Sequence, residues 1–416
     1  MIFRRLFFEY NAEIGRKKLL INRIMNNSGI MQQKNLDIMI VAGEASGDLH
    51  GANLVRAMRD INPDLCFYGV GGGRMKEAGV SLIAHSSGMA VMGITEVLPR
   101  LGFILKVKRA LKESLRHSRP ALLILIDYPG FNLSLAKFAK ENGIKVFYYI
   151  SPKVWAWKKK RIYALEKHVD RMALILPFEE QVYKGTKLDA RFVGNPLLDT
   201  VKREYTREEA IKKFGLKKDL TTIALLPGSR KGEVTRLLPE MLEMAEILKD
   251  KIPSIQFVLP LADTLSSDFV HGLADRYGLD FKIIEGNVYD VVGLSDIAVV
   301  ASGTATLETA LLGVPMIIVY RVSPLTYLIG RVLVNVDHIG LVNIIAGKTV
   351  VPELIQGDAN PEKMADEVYD ILTSIPRMDE MKRNLSIVSE MLGGPGASVR
   401  AAGLAYELVT TSDQIC

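Results

Sequence analysis

The sequence alternates short apolar, β-branched runs with longer stretches of helical periodicity, which is typical of parallel βαβ units. Most runs are apolar throughout, as expected of strands that helices cover on both faces. The pattern predicts an α/β protein with two Rossmann-like, doubly wound parallel-sheet domains that face each other across a cleft. The predicted strands are Asp37–Val41, Cys66–Val70, Leu122–Asp127, Lys145–Ile150, Met172–Leu176 and Arg191–Val193, then Thr222–Leu226, Gln256–Leu259, Lys282–Ile284, Ile297–Val300 and Met316–Val319.

The length of the chain fits this organisation, since 416 residues with 48% hydrophobic content can build two cores. We expect a first domain over 36–200, a second over 201–385, and closing helices over 386–416 that pack back on the first. Residues 1–35 would be an extension ahead of the first strand. They carry no sustained apolar core, and Met25 and Met31 both precede that strand, so we favour a start codon assigned too early over an amphipathic arm.

Composition excludes several classes of protein. A charge balance of 53 basic to 47 acidic residues is only mildly basic and gives no case for nucleic acid. Two cysteines exclude a disulfide framework and favour a reducing cytoplasm. No apolar run reaches the ~20 residues of a membrane span. The six histidines lack metal-ligand spacing, so we expect no metal and no other cofactor.

Two glycine-containing turns in the second half each join a strand to a helix. Such a turn directs free backbone N–H groups and the positive end of a helix dipole at an anion. The forked donors of Arg230 can neutralise phosphate oxygens, and Glu308 can accept hydrogen bonds from two ribose hydroxyls. The turns therefore predict a nucleotide-sugar site, which comprises Gly228, Ser229, Arg230, Gly303, Thr304, Thr306 and Glu308.

In the first half, Asp127 follows the apolar run Leu122–Ile126. A carboxylate at the carboxyl end of a buried strand lies partly desolvated at the rim of the cleft, which makes it a stronger base. The alternative is that Asp127 caps the helix that follows. The turn Gly43–Asp48 has the same two interpretations, either as a substrate-facing turn or as a helix start that Ser46 or Asp48 caps.

A basic and apolar stretch lies near residue 100. Its leucines fit the core stripe of a buried helix with a solvated basic face. Apolar residues off that stripe, interleaved with cations, instead predict a surface that lies on an anionic membrane. The pattern alone leaves both open. The stripe is Leu98, Leu101, Leu105, Leu111 and Leu115, and the membrane surface would be Leu98, Leu101, Phe103, Ile104, Lys106, Lys108 and Arg109.

From about Leu36 to the C-terminus, these motifs together resemble the lipid-A-disaccharide synthase family, glycosyltransferases of the B-type two-Rossmann fold. Each motif is weak alone, but their combination in this order is specific. They are Ala42-Gly43-Glu44-Ala45-Ser46-Gly47-Asp48, Gly69-Val70-Gly71-Gly72, Met92-Gly93-Ile94-Thr95-Glu96-Val97-Leu98, Ile126-Asp127-Tyr128-Pro129-Gly130-Phe131-Asn132, Ser151-Pro152-Lys153-Val154-Trp155-Ala156-Trp157, Leu226-Pro227-Gly228-Ser229-Arg230, Ser302-Gly303-Thr304-Ala305-Thr306-Leu307-Glu308 and Asn343-Ile344-Ile345-Ala346-Gly347.

The resemblance implies an inverting, metal-independent transfer from UDP-2,3-diacylglucosamine to 2,3-diacylglucosamine 1-phosphate (lipid X), which releases UDP and forms a β-1,6-linked disaccharide 1-phosphate. It implies that Asp127 is the catalytic base, with Glu44 and Ser46 of the first glycine-bearing loop as further catalytic residues, and that Arg230 contacts the UDP diphosphate. Donor-site positions match Asn343 and Gln356. One departure is Asn195, where many members have histidine, so an essential imidazole there is in doubt.

Acylated substrates favour the membrane interpretation of the basic stretch, and with it a peripheral place on the cytoplasmic face of the inner membrane. Within enzymes, the alternatives are another B-fold user of UDP-sugars, a 2-epimerase or a transferase to a lipid-linked muropeptide. From a different class, a non-catalytic lipid carrier stays open. The sequence also leaves open a homo-oligomer.

Overall fold

A computed structural model describes residues 36–89, 94–156, 160–324, 326–328 and 337–411, and of residues 94–100 the backbone only. The described chain contains two sheets in which every pairing is parallel, which confirms the predicted two-sheet architecture. The first has the order β3-β2-β1-β4-β5-β6-β7. Its strands are β1 Asp37–Ala42, β2 Cys66–Gly71, β3 Ser81–His85, β4 Leu122–Ile126, β5 Lys145–Tyr149, β6 Arg171–Leu174 and β7 Asp189–Phe192.

Helices cover both faces of this sheet because its central strands are apolar on both sides, and β4 is buried along its whole length. They are α1 Ala45–Ile61, α2 Gly73–Glu77, α3 Ile94–Ser118, α4 Pro129–Glu141, α5 Arg161–His168 and α6 Glu179–Tyr183. The short helix α7 (Leu197–Thr200) follows β7, and its Leu197 packs in the core of the second domain.

The second sheet has the order β10-β9-β8-β11-β12-β13. Its strands are β8 Thr221–Leu226, β9 Ile255–Leu261, β10 Phe281–Glu285, β11 Ile297–Ala301, β12 Met316–Tyr320 and β13 Glu353–Ile355. The accompanying helices are α8 Arg207–Lys213, α9 Lys231–Lys251, α10 Ser267–Ala274, α11 Val288–Leu294, α12 Thr304–Leu311, α13 Leu341–Ala346, α14 Pro361–Thr373 and α15 Ile375–Met391.

Two strands were not predicted, and both lie at a sheet edge. Strand β3 has one buried residue among five, Ala84, and β13 is three residues long with Leu354 buried between partly exposed neighbours. An edge strand covers less of the core, so its sequence shows a weaker apolar signal than a central strand does.

The last helix, α16 (Ala397–Thr411), packs on α1 and on β4 to β6 of the first sheet. The backbone N–H of Asn195 donates to the Leu392 carbonyl where the chain enters this crossover. Arg400 of α16 joins the end of β7 to the turn before α16, because its guanidinium donates to the carbonyl oxygens of Val193, Gly394 and Pro395.

Helix α3 buries a different set of residues from the predicted leucine stripe. Leu111 and Leu115 are buried as predicted, together with Val107, which the stripe omitted. Leu101 and Leu105 are 42% and 54% exposed, so that part of the stripe is wrong. The side chain of Leu98 lies outside the described residues. None of the described helices is both long and apolar enough to pass through a bilayer.

Gly69 generates a prediction for stability. It has φ +148° at an irregularity in the β2–β3 register, and an added Cβ would lie 2.0 Å from the Ile40 carbonyl oxygen. Gly69→Ala should therefore lower the free energy of unfolding by about 2–4 kcal/mol, from backbone strain and steric overlap together. Chemical denaturation measures this.

Gly272→Ala is the matched control, because Gly272 is an exposed helical position with open space around it. Alanine there should leave stability unchanged or raise it by up to ~1 kcal/mol. Equal denaturation midpoints for the two variants would contradict the strain at Gly69.

Candidate active site

Strand β4 ends in a strained turn. Asp127 and Tyr128 have φ values of 41° and 48°, in the left-handed region that non-glycine residues rarely occupy. The Asp127 carbonyl oxygen accepts hydrogen bonds from the Tyr148 hydroxyl at 2.5 Å and the Asn132 amide at 2.7 Å. Asn132 also donates to the Ile126 carbonyl. These buried bonds hold a conformation that the chain would otherwise leave, and such strain is concentrated at functional sites.

The Tyr128 ring joins this turn to the loop after β1. It lies flat against Gly43, where an added Cβ would be 2.5 Å from the ring. The Tyr128 hydroxyl donates to the Met89 carbonyl at 2.9 Å. Glycine at 43 is thus required by the close approach of the ring, and the two loops form one surface.

The carboxyl group of Asp127 has a raised pKa of about 6. Burial is the main cause, and the nearby Glu44 charge adds to it, whereas the Lys153 ammonium and the Tyr128 backbone N–H act against it. A carboxylate with a pKa this close to neutrality is a stronger base that is still ionised at neutral pH. The residue that precedes α4 is Tyr128, not Asp127, so the capping alternative for Asp127 is wrong.

The two candidate capping residues of the turn Gly43–Asp48 have different environments in the structure. Ser46 is exposed at the start of α1. Asp48 is buried and does not cap its own helix, because its carboxylate accepts hydrogen bonds from the backbone N–H groups of Gly72, Arg74 and Met75. Asp48 therefore caps α2 and joins the glycine loop after β2 to the loop after β1.

Glu179 was missed in the sequence. It is 2% exposed and accepts a hydrogen bond from the Leu176 N–H at 3.1 Å. Burial raises its pKa to about 7, and the Asp127 charge contributes in the same direction, while the Trp155 indole lowers it. Nothing in the sequence separates this glutamate from the acidic first turn of an ordinary surface helix, and only its burial marks it.

In the second domain, the loop after β8 presents Gly228 with φ +112° and an exposed Arg230. The Arg230 guanidinium donates to Glu233 at 2.6 Å, which fixes one side of the fork and leaves the other donors toward solvent. The Ser229 carbonyl accepts a hydrogen bond from the Thr264 hydroxyl. This loop therefore places the Arg230 guanidinium, fixed by Glu233, at the start of α9.

The loop after β11 offers a different set of groups. Gly303 and Thr304 are exposed at the start of α12, whereas Thr306 is fully buried and its hydroxyl donates to the Gly303 carbonyl at 2.8 Å. Glu308 accepts a hydrogen bond from the Tyr289 hydroxyl at 3.2 Å. Burial raises the pKa of Glu308, against the effect of this bond.

The two remaining predicted donor residues are engaged inside the protein. Asn343 is fully buried, donates to the Val351 carbonyl and to Glu353, and accepts from the N–H groups of Val350 and Val351. The Gln356 amide pairs with both backbone groups of Val322, beside a pocket of about 570 Å³ that Arg236, Glu240 and Arg321 also line. In this geometry both amides hold loops in place.

Asn195 also has a structural role. It is 2% exposed, its amide donates to the Ile175 carbonyl at 3.2 Å, and its side-chain oxygen accepts from the Leu197 N–H. The Asn195 amide therefore fixes the backbone between β7 and α7.

The structure thus gathers Asp127, Glu44 and Ser46 at the carboxyl edge of the first sheet, and Arg230, Gly303 and Glu308 at the carboxyl edge of the second. Open α/β folds bind ligands at these edges. Arg74, from the first domain, lies close enough to Tyr289 of the second for its charge to lower the pKa of that hydroxyl, although burial and Glu308 raise it overall. In the described part of the chain, no three His, Cys, Asp or Glu side chains cluster as a metal site.

Two parallel-sheet domains, with the carboxylate of Asp127 at the edge of one sheet and the glycine turn of Arg230 at the edge of the other, have the architecture of the B-type glycosyltransferase fold. A family model described as lipid-A-disaccharide synthetase matches residues 38–390. The chain belongs to the lipid-A-disaccharide synthase family.

Two relatives illustrate the match. The chain is 56% identical to lipid-A-disaccharide synthase of Syntrophus aciditrophicus over 379 residues, which cover 90% of this chain and 98% of that one. It is 48% identical to lipid-A-disaccharide synthase of Geobacter sulfurreducens over 372 residues, 89% of this chain and 97% of the relative.

Solved structures are similar in fold alone. One described as the glycotransferase of kitacinnamycin has a TM-score of 0.62 at 13% identity and covers 89% of this chain and 98% of its own. UDP-GlcNAc 2-epimerase from Neisseria meningitidis, bound to UDP-GlcNAc, has a TM-score of 0.58 at 11% identity, with 90% and 100% covered. The shared fold explains why an epimerase was a reasonable alternative, and sequence identity places the chain with the synthases.

The electrostatics of Asp127 predict a pH dependence. Below a pKa of about 6 Asp127 is protonated, and if it is the general base, kcat/KM for glycosyl transfer should fall about tenfold per pH unit on the acid side. Glu44→Gln removes a neighbouring negative charge, which lowers the pKa of Asp127 and should move this acid limb to lower pH. The measurement is the pH profile of kcat/KM.

Glu77→Gln, at an exposed glutamate of α2, is the control and should leave the profile in place. An acid limb that stays unmoved in Glu44→Gln would contradict the assignment of this limb to Asp127 beside Glu44.

Proposed function

We propose that this protein transfers the diacylglucosaminyl group of UDP-2,3-diacylglucosamine to the 6-hydroxyl of 2,3-diacylglucosamine 1-phosphate, with inversion at the anomeric carbon. Asp127 is the observation that carries the proposal, because a carrier has no use for a strained, desolvated carboxylate with a pKa of about 6. A sugar 6-hydroxyl is a poor nucleophile near neutral pH and requires a base positioned to take its proton.

In this mechanism Asp127 takes the proton as the hydroxyl oxygen attacks the anomeric carbon, and the bond to the UDP oxygen breaks on the opposite side. UDP gains negative charge as it departs. Arg230 and the backbone N–H groups at the starts of α9 and α12 face that charge, and one well-placed donor of this kind contributes on the order of 3 kcal/mol. Glu308, held by Tyr289, would accept hydrogen bonds from the ribose hydroxyls.

We assign the acceptor to the first domain, residues 36–200, and the UDP-sugar to the second, residues 201–385. Both substrates carry acyl chains, so the enzyme must meet them at a membrane surface. The exposed Leu101 and Leu105 beside the cations Lys106 and Arg109 suit docking on the anionic inner face of the inner membrane.

The deciding experiment measures UDP release from UDP-2,3-diacylglucosamine in detergent micelles, with and without the acceptor, in the presence of EDTA. We expect release that requires the acceptor and survives EDTA. Asp127→Asn should lose at least about 100-fold in kcat, since general base catalysis contributes 10²–10⁴-fold. Calorimetry should show that this variant still binds UDP, because Arg230 is unchanged.

Near-normal turnover of a folded Asp127→Asn enzyme would remove Asp127 as the base. Acceptor-independent loss of UDP would instead indicate chemistry on the sugar nucleotide alone. No release with either substrate would leave the carrier interpretation.

Membrane docking predicts that charge reversal on α3 weakens vesicle binding. The triple variant Lys106→Glu, Lys108→Glu, Arg109→Glu changes the net charge by six units, and each basic residue near an anionic surface contributes about 1 kcal/mol. We expect sedimentation with anionic vesicles to be largely lost. The matched control reverses the exposed Lys184, Lys249 and Lys382. Equal sedimentation of both triple variants would show that the α3 cations are not a membrane surface.

A further inference from the structure

The loop after β5 holds one cation, Lys153, between two buried anchors. On one side, the buried Ser151 hydroxyl lies 2.7 Å from the Tyr183 hydroxyl. On the other, Val154 is 1% exposed and the Trp155 ring packs edge-to-face on Phe178, with centroids 5.1 Å apart. Lys153 itself is exposed. Its backbone is thus fixed by its neighbours while its ammonium group is free to meet a ligand at the cleft.

The surroundings of Lys153 are acidic. Asp127 interacts with the charges of both Glu44 and Glu179, and Lys153 is the cation whose charge opposes them at Asp127. An anion that entered beside these three carboxyl groups without a cation would be repelled. The position of Lys153 therefore determines where, on this edge of the first sheet, a negatively charged group can be bound.

The proposed acceptor carries such a group. Its nucleophilic 6-hydroxyl is carried through C6 on C5 and its phosphate on C1, and these two carbons flank the ring oxygen. If the hydroxyl meets Asp127, the phosphate lies on the neighbouring part of the same ring, within the reach of a lysine whose charge acts on Asp127. Lysine binds phosphate as a flexible point charge, which suits a monoester that must be released with each product.

We propose that Lys153 binds the anomeric phosphate of the acceptor and so orients the sugar ring with its 6-hydroxyl at Asp127. This inference rests on the proposed function and adds a subsite to it. Among the described cations, Arg230 is held by Glu233 in the second domain and the charge of Arg74 acts on Tyr289, whereas the charge of Lys153 acts on Asp127. The two phosphate-bearing substrates are thus held by different residues on different domains.

The test compares the acceptor with its counterpart that lacks the phosphate, each titrated by calorimetry into wild type, Lys153→Ala and Lys153→Arg in detergent micelles. A pH of about 8 keeps Asp127 ionised in every variant. Wild type should bind the phosphorylated acceptor at least about tenfold more tightly, the ratio for a charge-assisted hydrogen bond. Lys153→Ala should abolish that ratio by weakening the phosphorylated acceptor alone, and Lys153→Arg should restore most of it. Lys184→Ala, at an exposed lysine after α6, is the control.

An equal loss of affinity for both acceptors in Lys153→Ala would assign Lys153 to the loop structure and overturn the proposal. So would an unchanged ratio, or a wild type that binds both acceptors equally. UDP release by wild type is measured in parallel. A wild type that binds the phosphorylated acceptor through Lys153 but releases no UDP would refute the proposed reaction and leave the phosphate subsite standing.

Discussion

The site depends on the hydrogen bonds that the Asp127 carbonyl oxygen accepts from Tyr148 and Asn132. Two successive non-glycine residues in the left-handed region cost on the order of 1–3 kcal/mol each, so the turn persists only because buried partners fix it. Both partners lie on elements next to β4, because Tyr148 is in the adjacent strand β5 and Asn132 is in the following helix α4. The strain turns the chain sharply at the end of a fully buried strand, which places a carboxylate at the rim of the cleft.

Once placed there, the carboxylate opposes folding electrostatically. Asp127 and Glu179 have raised pKa values of about 6 and about 7, against about 4 in an unfolded chain. The folded state therefore binds these protons more tightly than the unfolded state, and the stability that they contribute is lost as the pH rises from about 4 to about 7. In the proposed reaction, the same burial gives Asp127 a pKa that suits a general base near neutral pH. The second domain instead contributes Arg230 and the starts of α9 and α12, which in the proposed reaction stabilise the departing UDP.

Much of the fold was predictable, because central parallel strands are apolar on both faces and their runs are unmistakable in sequence. Edge strands β3 and β13 were missed since they bury little. The α3 stripe was wrong at Leu101 and Leu105, because helical periodicity does not say which of two apolar arcs faces the core. The desolvation of Asp127 was predictable from its place after β4. Glu179 was not, because burial of a glutamate in a first helical turn depends on a neighbouring loop, here that of Trp155, which is distant in sequence.

Several polar motif residues turn out to maintain loop shape. Asn343 satisfies four hydrogen bonds inside its loop, Gln356 pairs with the backbone of Val322, and Thr306 closes the turn at Gly303. A buried amide with every donor and acceptor satisfied has none left for a ligand without a cost of about 1–3 kcal/mol per broken partner. These side chains therefore fix the backbone of their own loops. Asn195 has the same kind of role. Its amide bonds the Ile175 carbonyl and the Leu197 N–H, and unlike a histidine ring it does not titrate.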